Sequence, residues 1–405
     1  MALSTTAKLP FSNPSKPALD LRHTEVALDK KQRRLLARTT LQPEINLENY
    51  QFCAVIDWIE FRVHLGRGTQ IQHLHDFLLP FVGRRPFITR KDKGAGDVFS
   101  ICTIRIQEPV SLAHVTLIHE ALVAKYGATA PSLVTGIEIS LDAYAKDEAG
   151  VARVLMVGAM QRTIWTNRDI WTDKNSRPRS IIGTKKEDVL KLLPRPDDVY
   201  DYMIKPVHEL CKEPFADGTM YLGARDDDVM IRVMDKVKDV QRPDGTYVAL
   251  TDKTSRARIE VTVKGKELVD IGLTDIASLR HFKLTELQGR YFQFRLPTFA
   301  IRQNPRRTID AICNNEEARR ADAYMRSGVL GVMLRDEARL ARWKTLRRRT
   351  TNLTRASGGV SVIKKTSRLS INMFVAYWAL DRKVALAIRD LAAREERVWK
   401  KVMPR

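Results

Sequence analysis

Three short segments of this chain place polar residues at every second position. In Gly136-Ile-Glu-Ile-Ser-Leu-Asp142, the residues Glu138, Ser140 and Asp142 share one parity, so a strand would point all three to one side. In Met230–Lys236 the same spacing groups Arg232, Met234 and Lys236, and in Arg256–Val263 it groups Arg258, Glu260 and Thr262. Charged groups crowded on one sheet face repel or lose hydration unless they bind something. Carboxylates from two strands suit a hard divalent ion such as Mg²⁺ or Mn²⁺. Such an ion polarises a scissile phosphate and stabilises the charge that develops on it. The plain alternative is a solvent-exposed face on which Arg258 and Glu260 pair.

The elements that must position these residues follow from periodicity. Val55–Leu65 alternates apolar and polar residues as a half-buried strand. Spacing predicts a helix over Thr69–Leu79 that stops before Pro80, a strand over Val98–Ile106, a helix over Leu112–Lys125 and a strand over Ser132–Tyr144. Residues 145 to 213 read as helices around a polar loop. Gly218–Gly223 and Val229–Val237 form a hairpin, and Arg256–Lys264 adds a third strand to its sheet. The expected fold is α+β: a flexible basic arm with one short helix over 1–48, an antiparallel-sheet core over 49–300, and a helical basic domain over 301–405.

The segments Gly218-Thr-Met-Tyr-Leu-Gly-Ala-Arg225, Met230-Ile-Arg-Val-Met-Asp-Lys236 and Arg256-Ala-Arg-Ile-Glu-Val-Thr-Val263 resemble, in order, the core of the replication initiation factor family. That family includes rolling-circle initiators of plasmids and filamentous phages. Thr135–Asp142 is similar to an upstream acidic strand of the family, and Ile56–Phe61 resembles its opening strand. The resemblance spans about residues 55 to 285. It implies an initiator that binds a replication origin and nicks and rejoins one DNA strand by tyrosine transesterification with a divalent metal. Glu138 and Glu260 would then be metal ligands, with Asp142 a weaker candidate, while Arg232, Lys236 and Arg258 would hold the phosphate. A covalent phosphotyrosine retains the bond energy, so the same site can reseal the strand.

One position departs from the family. Met234 stands where the nucleophilic tyrosine is expected, and a thioether cannot attack phosphorus. Tyr144 continues the parity of Glu138, Ser140 and Asp142, and Tyr247 lies on the connection between the second and third strands; both are candidate nucleophiles. Tyr221 is expected to turn away from the Arg232–Met234 face. The alternative is a non-catalytic, sequence-specific DNA-binding protein that keeps the initiator fold.

Charge agrees with a polyanionic partner. Lys and Arg number 69 against 48 acids, a net charge of +21 over 405 residues. Near-helical spacing gathers Arg342, Lys344, Arg347, Arg348 and Arg349 beside Trp343, a face suited to salt-sensitive phosphate contacts. Another basic cluster, Lys30–Arg34, lies in the arm. Expected partners are single- and double-stranded DNA at an origin, with a host helicase or polymerase and a homodimer also open. No stretch reaches the roughly 18 apolar residues of a membrane span. No secretory signal opens the chain, and four scattered cysteines suit a reducing cytoplasm. His73-Leu-His75 imitates a metal motif, but on a helix the two rings diverge. No phosphate-cradling GxxxxGK[ST] loop occurs.

Overall fold

A computed structural model describes residues 3–28, 35–92, 97–146, 150–170, 173–182, 189–193, 205–241, 247–301, 308–356 and 374–402. The chain begins with strands β1 (Thr6–Leu9), β2 (Leu19–Ala27), β3 (Thr39–Pro43) and β4 (Tyr50–Thr69), then helix α1 (Ile71–Val82). Strands β5 (Phe87–Arg90) and β6 (Phe99–Gln107), helix α2 (Leu112–Tyr126), strand β7 (Ala128–Ala145) and helix α3 (Gly150–Thr163) follow. Next come β8 (Ile164–Trp165), β9 (Arg179–Ile181), β10 (Val189–Lys191), β11 (Thr219–Leu222) and β12 (Val229–Lys236). After β13 (Lys238–Gln241), β14 (Tyr247–Ala249), β15 (Arg256–Lys264) and β16 (Gln293–Phe299) the chain enters α4 (Thr308–Ala356), β17 (Phe374–Ala376) and α5 (Trp378–Val402). The fold is α+β, as its sequence pattern indicates.

The main sheet has nine antiparallel strands in the order β10-β9-β11-β12-β15-β7-β4-β6-β5. Its apolar face is made by alternate residues: Ile231 and Val233 on β12, Ile259 and Val261 on β15, Ile137, Ile139 and Leu141 on β7, all buried. Burying each such side chain contributes about 1.5–3 kcal/mol. Helix α3 packs on β12, β15 and β7, and α2 sets His119 edge-on against Phe61 of β4. Ser111 caps α2 by accepting from His114 N at 3.0 Å. These helices occupy one face and leave the alternating polar residues together on the other.

Several expectations change. Residues 1–48 are not an arm with a short helix: β1, β2 and β3 join β16 and β17 in a second antiparallel sheet, in the order β1-β2-β3-β16-β17, with β8 also paired to β16. Leu9, Leu21 and Leu41 are fully buried there. The basic cluster Lys30–Arg34 lies outside the described residues. Helix α1 continues through Pro80 to Val82, because buried Leu74 and Leu78 hold it and Gly83 (φ 77°) closes it by donating to Leu79 O at 2.8 Å. The span from 145 to 213 contributes strands as well as helix, and β9 and β10 widen the main sheet. The described part of 301–405 is helical apart from β17 and does not stand apart: Tyr324, Leu330, Leu380, Ile388 and Leu391 belong to the same apolar core as the strands.

Helix α4 bends at Gly328 (φ 70°), where it crosses α3 so closely that a Cβ would lie 2.4 Å from Arg162 Cα. The fully buried Arg162 guanidinium donates to Met325 O (2.8 Å), Gly158 O (3.3 Å) and Lys8 O (2.8 Å), tying α4, α3 and β1 together. Burial pushes its pKa down to about 10. Gly328→Ala is therefore expected to lower unfolding free energy by at least about 2 kcal/mol through strain and overpacking. A urea midpoint equal to wild type would contradict this packing.

Candidate metal and phosphate site

The polar face of the main sheet is ordered in cross-strand rows. One row runs Arg179, Tyr221, Arg232, Glu260, Ser140 and Val55 across β9, β11, β12, β15, β7 and β4. The row on one side contains Thr219, Met234, Arg258, Asp142 and Cys53, and the row on the other contains Met230, Thr262, Glu138 and Trp58. Directly opposed residues share a face, so these side chains converge. Glu138, Ser140, Asp142, Arg258, Glu260 and Thr262 are all buried. The plain expectation of a wet face does not hold.

A β-bulge adds a carboxylate that alternation hides. Ile56 pairs with Ile139 and Trp58 with Glu138, so Asp57 and Trp58 together oppose one residue of β7. Both turn to the polar face. Trp58 lies over Gly136, where a Cβ would meet its ring at 2.8 Å, and Arg105 stacks on it at 4.0 Å. Asp57 accepts hydrogen bonds from Ser140 Oγ and from Arg258 Nη1, the latter at 3.1 Å.

Asp57, Glu138 and Glu260 each offer an oxygen within 4.8 Å of the others. Arg232 Nη2 bridges Glu138 Oε2 (2.7 Å) and Glu260 Oε2 (2.6 Å), and Thr262 donates its hydroxyl to Glu138. Arg258 reaches Glu260 Oε1 at 3.4 Å and clasps Asp142 through Nε (2.5 Å) and Nη2 (2.7 Å). Burial opposes the charge on both arginines, but carboxylates outweigh it, Asp142 and Asp57 for Arg258, Glu260 and Glu138 for Arg232, so both pKa values rise. Burial moves Asp57 the other way, raising its carboxyl pKa despite Arg258. Arg232 Nε is buried with no hydrogen-bond partner among the described residues.

The sequence candidates therefore divide. Glu138 and Glu260 converge. Asp142 lies one row away, held by Arg258 and by Arg256 Nε at 3.1 Å, and it is Asp57 whose oxygen lies within 4.8 Å of those of Glu138 and Glu260. Arg232 and Arg258 border the acidic trio, whereas Lys236 pairs with Arg256 at the strand end. Tyr144 shares the polar face and donates to Asp142 Oδ2 at 3.4 Å; burial and the Asp142 charge push its pKa up to about 12. Tyr247 starts β14 in a separate two-stranded ribbon. Tyr221, expected to turn away, pairs directly with Arg232 and lies on the site face. On α4, Arg342 is half-buried and Lys344 and Arg348 are exposed, while the side chains of Arg347 and Arg349 lie outside the described ones. His73 is exposed on α1, and His75 Nε2 contacts Pro86 O at 3.0 Å.

Beside the trio a cavity of about 310 Å³ is lined by Asp57, Asp142, Tyr144, Arg256, Arg258 and α5 residues including Arg394. Arg394 Nη2 donates to Ala54 O at 2.6 Å, and Glu395 Oε2 accepts from Leu112 N at 2.8 Å. Arg394 carries no sequence signal near the strands; only the packing of α5 on β4 brings it here.

Replacing Arg258 by Met strands Asp57 and Asp142 without their main cation, with side-chain exposures of 13% and 1%. The expected loss is about 3–5 kcal/mol in urea unfolding, as for broken buried ion pairs. A loss below about 1 kcal/mol would mean that the pairing is not needed.

No family model and no curated protein matches this chain. Among solved structures it is similar to a rolling circle replication initiator protein from Geobacillus stearothermophilus, with 11% identity and a TM-score of 0.27, over 64% of this chain and 91% of that one.

Proposed function

We propose that this protein initiates rolling-circle DNA replication: it binds an origin and nicks and rejoins one strand with the help of a divalent metal. The observation that carries this reading is the meeting of Asp57, Glu138 and Glu260 within 4.8 Å, with Arg232 and Arg258 beside them. Three hard oxygen donors of this kind fit Mg²⁺ or Mn²⁺. When bound, the ion would polarise the scissile phosphate. The resemblance of the three charged strands to the initiator family supplies the reaction class.

The chain's own residues have separable parts in this reading. Asp57, Glu138 and Glu260 hold the metal, and Ser140 and Thr262 orient two of those carboxylates through their hydroxyls. Arg232 keeps an unused buried Nε–H and Arg258 a fixed fork, and both present charge to a phosphate without being able to lose it. The cavity under α5 takes the DNA flanking the phosphate, with Arg256 and Arg394 on its wall. Exposed Lys344 and Arg348 on α4, together with Arg342, Arg347 and Arg349, supply sequence-independent phosphate contacts.

A second reading rests on Met234, which lies on the site face opposite Arg258, where the family has its tyrosine. In that reading the protein recognises DNA without cutting it, and Met234→Tyr creates nicking that the natural chain lacks.

Supercoiled plasmid carrying the DNA that flanks the protein's own coding region, incubated with Mn²⁺, is expected to yield open circles with protein on the 5′ end. Glu260→Gln and Asp57→Asn should each slow the reaction at least about 100-fold, the upper range for disturbing a metal's ligand shell. Absence of open circles from the natural chain would end the enzymatic reading. Unchanged rates in both variants would end the metal assignment.

No described helix is long and apolar enough to cross a membrane.

A further inference from the structure

The nicking reaction proposed above needs an oxygen nucleophile, and Met234 provides none. Hairpin geometry offers one from the next strand. Gly223, at φ 91°, donates its N–H to Ser176 O at 2.8 Å, and Asp227 Oδ2 accepts from Ala224 N (2.7 Å) and Ser176 Oγ (2.6 Å). This turn sets Leu222 opposite Ile231 and Tyr221 opposite Arg232. Tyr221 is consequently the diagonal neighbour of Met234, which faces Thr219. Such diagonal positions lie about 7–8 Å apart and within reach of an aromatic side chain.

Its surroundings suit a nucleophile better than those of the other tyrosines whose side chains are described. Tyr221 is half-buried, and its hydroxyl makes no hydrogen bond among the described residues. The hydroxyls of Tyr144 and Tyr291 donate to Asp142 and Glu267, and those of Tyr324 and Tyr377 belong to buried side chains of the core. On one side of Tyr221 the Arg179 guanidinium sits 5.0 Å from the ring centroid, fixed by Asn175 O (2.7 Å) and Gly223 O (3.0 Å). On the other side stands Arg232, which bridges Glu138 and Glu260. These two cations flank the phenol and would attract a phosphate to it. Tyr144, by contrast, donates to a carboxylate, which stabilises its neutral state.

We infer that Tyr221, set between Arg179 and Arg232 in the row that runs on to Glu260, is the nucleophile of this site, in place of a tyrosine at position 234. This rests on the nicking reading. The phenol oxygen forms a bond to phosphorus, and the bond from phosphorus to the 3′ oxygen breaks with its electron pair. The departing 3′ oxygen gains, in net terms, the proton that the phenol gives up. The products are a 5′-phosphotyrosine and a free 3′-hydroxyl, and the reverse attack reseals the strand.

The test uses the full chain with Mn²⁺ and two probes: the flanking-DNA plasmid and a pool of random-sequence single-stranded oligonucleotides. Covalent adducts are trapped, digested with nuclease and trypsin, and mapped by mass spectrometry. The expected result is a nucleotide on the peptide containing Tyr221, and loss of adduct by at least about 1,000-fold in Tyr221→Phe, while that variant still binds Mn²⁺. Adduct on Tyr144, Tyr247 or any other residue overturns this assignment and leaves the nicking reading standing. Wild-type adduct levels in Tyr221→Phe also overturn it. If the natural chain neither nicks nor forms adduct with either probe, both the assignment and the nicking reading fall.

Discussion

Burying several carboxylates on one sheet face is the constraint around which this molecule is arranged. Asp57, Glu138, Asp142 and Glu260 lie together with little water, and each unpaired ion would cost several kcal/mol. Arg232, Arg256 and Arg258 answer them across adjacent strands, and Ser140 and Thr262 add hydroxyl donors. With all of these groups ionised, acids exceed cations by a single charge. A divalent ion would reverse that balance to one positive charge, the complement of one phosphodiester.

The helices on the opposite face make that arrangement rigid. α3 is pinned to β12 by the pair Arg153–Asp235 at 2.5 Å and to α4 and β1 by Arg162. The polar groups thus sit on strands whose spacing is set by a close-packed apolar layer, and their mutual distances cannot relax independently.

Much of this was legible in the sequence. Period-two spacing correctly placed Glu138, Arg232, Arg258 and Glu260 on one face, because the segments really are neighbouring strands of regular register. Asp57 was not legible by simple alternation, which assigns it to the face of Ile59 and Phe61. The phase change from Ile56 to Trp58 and Ile59 was the available sign of a bulge. Tyr221 was misplaced because a hairpin's parity depends on its turn, and a one-residue difference in register sends every side chain to the other side. The first 48 residues looked irregular because β1 and β3 are short, and the strand that completes their sheet, β16, lies some 250 residues on. Arg394 belongs to a helix whose own pattern reports only its amphipathic packing.

Helix α5 also touches elements distant from one another in the chain. Asp381 accepts from Phe294 N of β16 at 3.0 Å, Arg394 donates to Ala54 O of β4 at 2.6 Å, and Glu395 closes the start of α2. During synthesis, then, the strands bearing the charged rows emerge from the ribosome long before the helix that roofs their cavity. A nascent chain halted before Glu395 has the acidic trio but not its outer wall, so the site is completed only once α5 has been made.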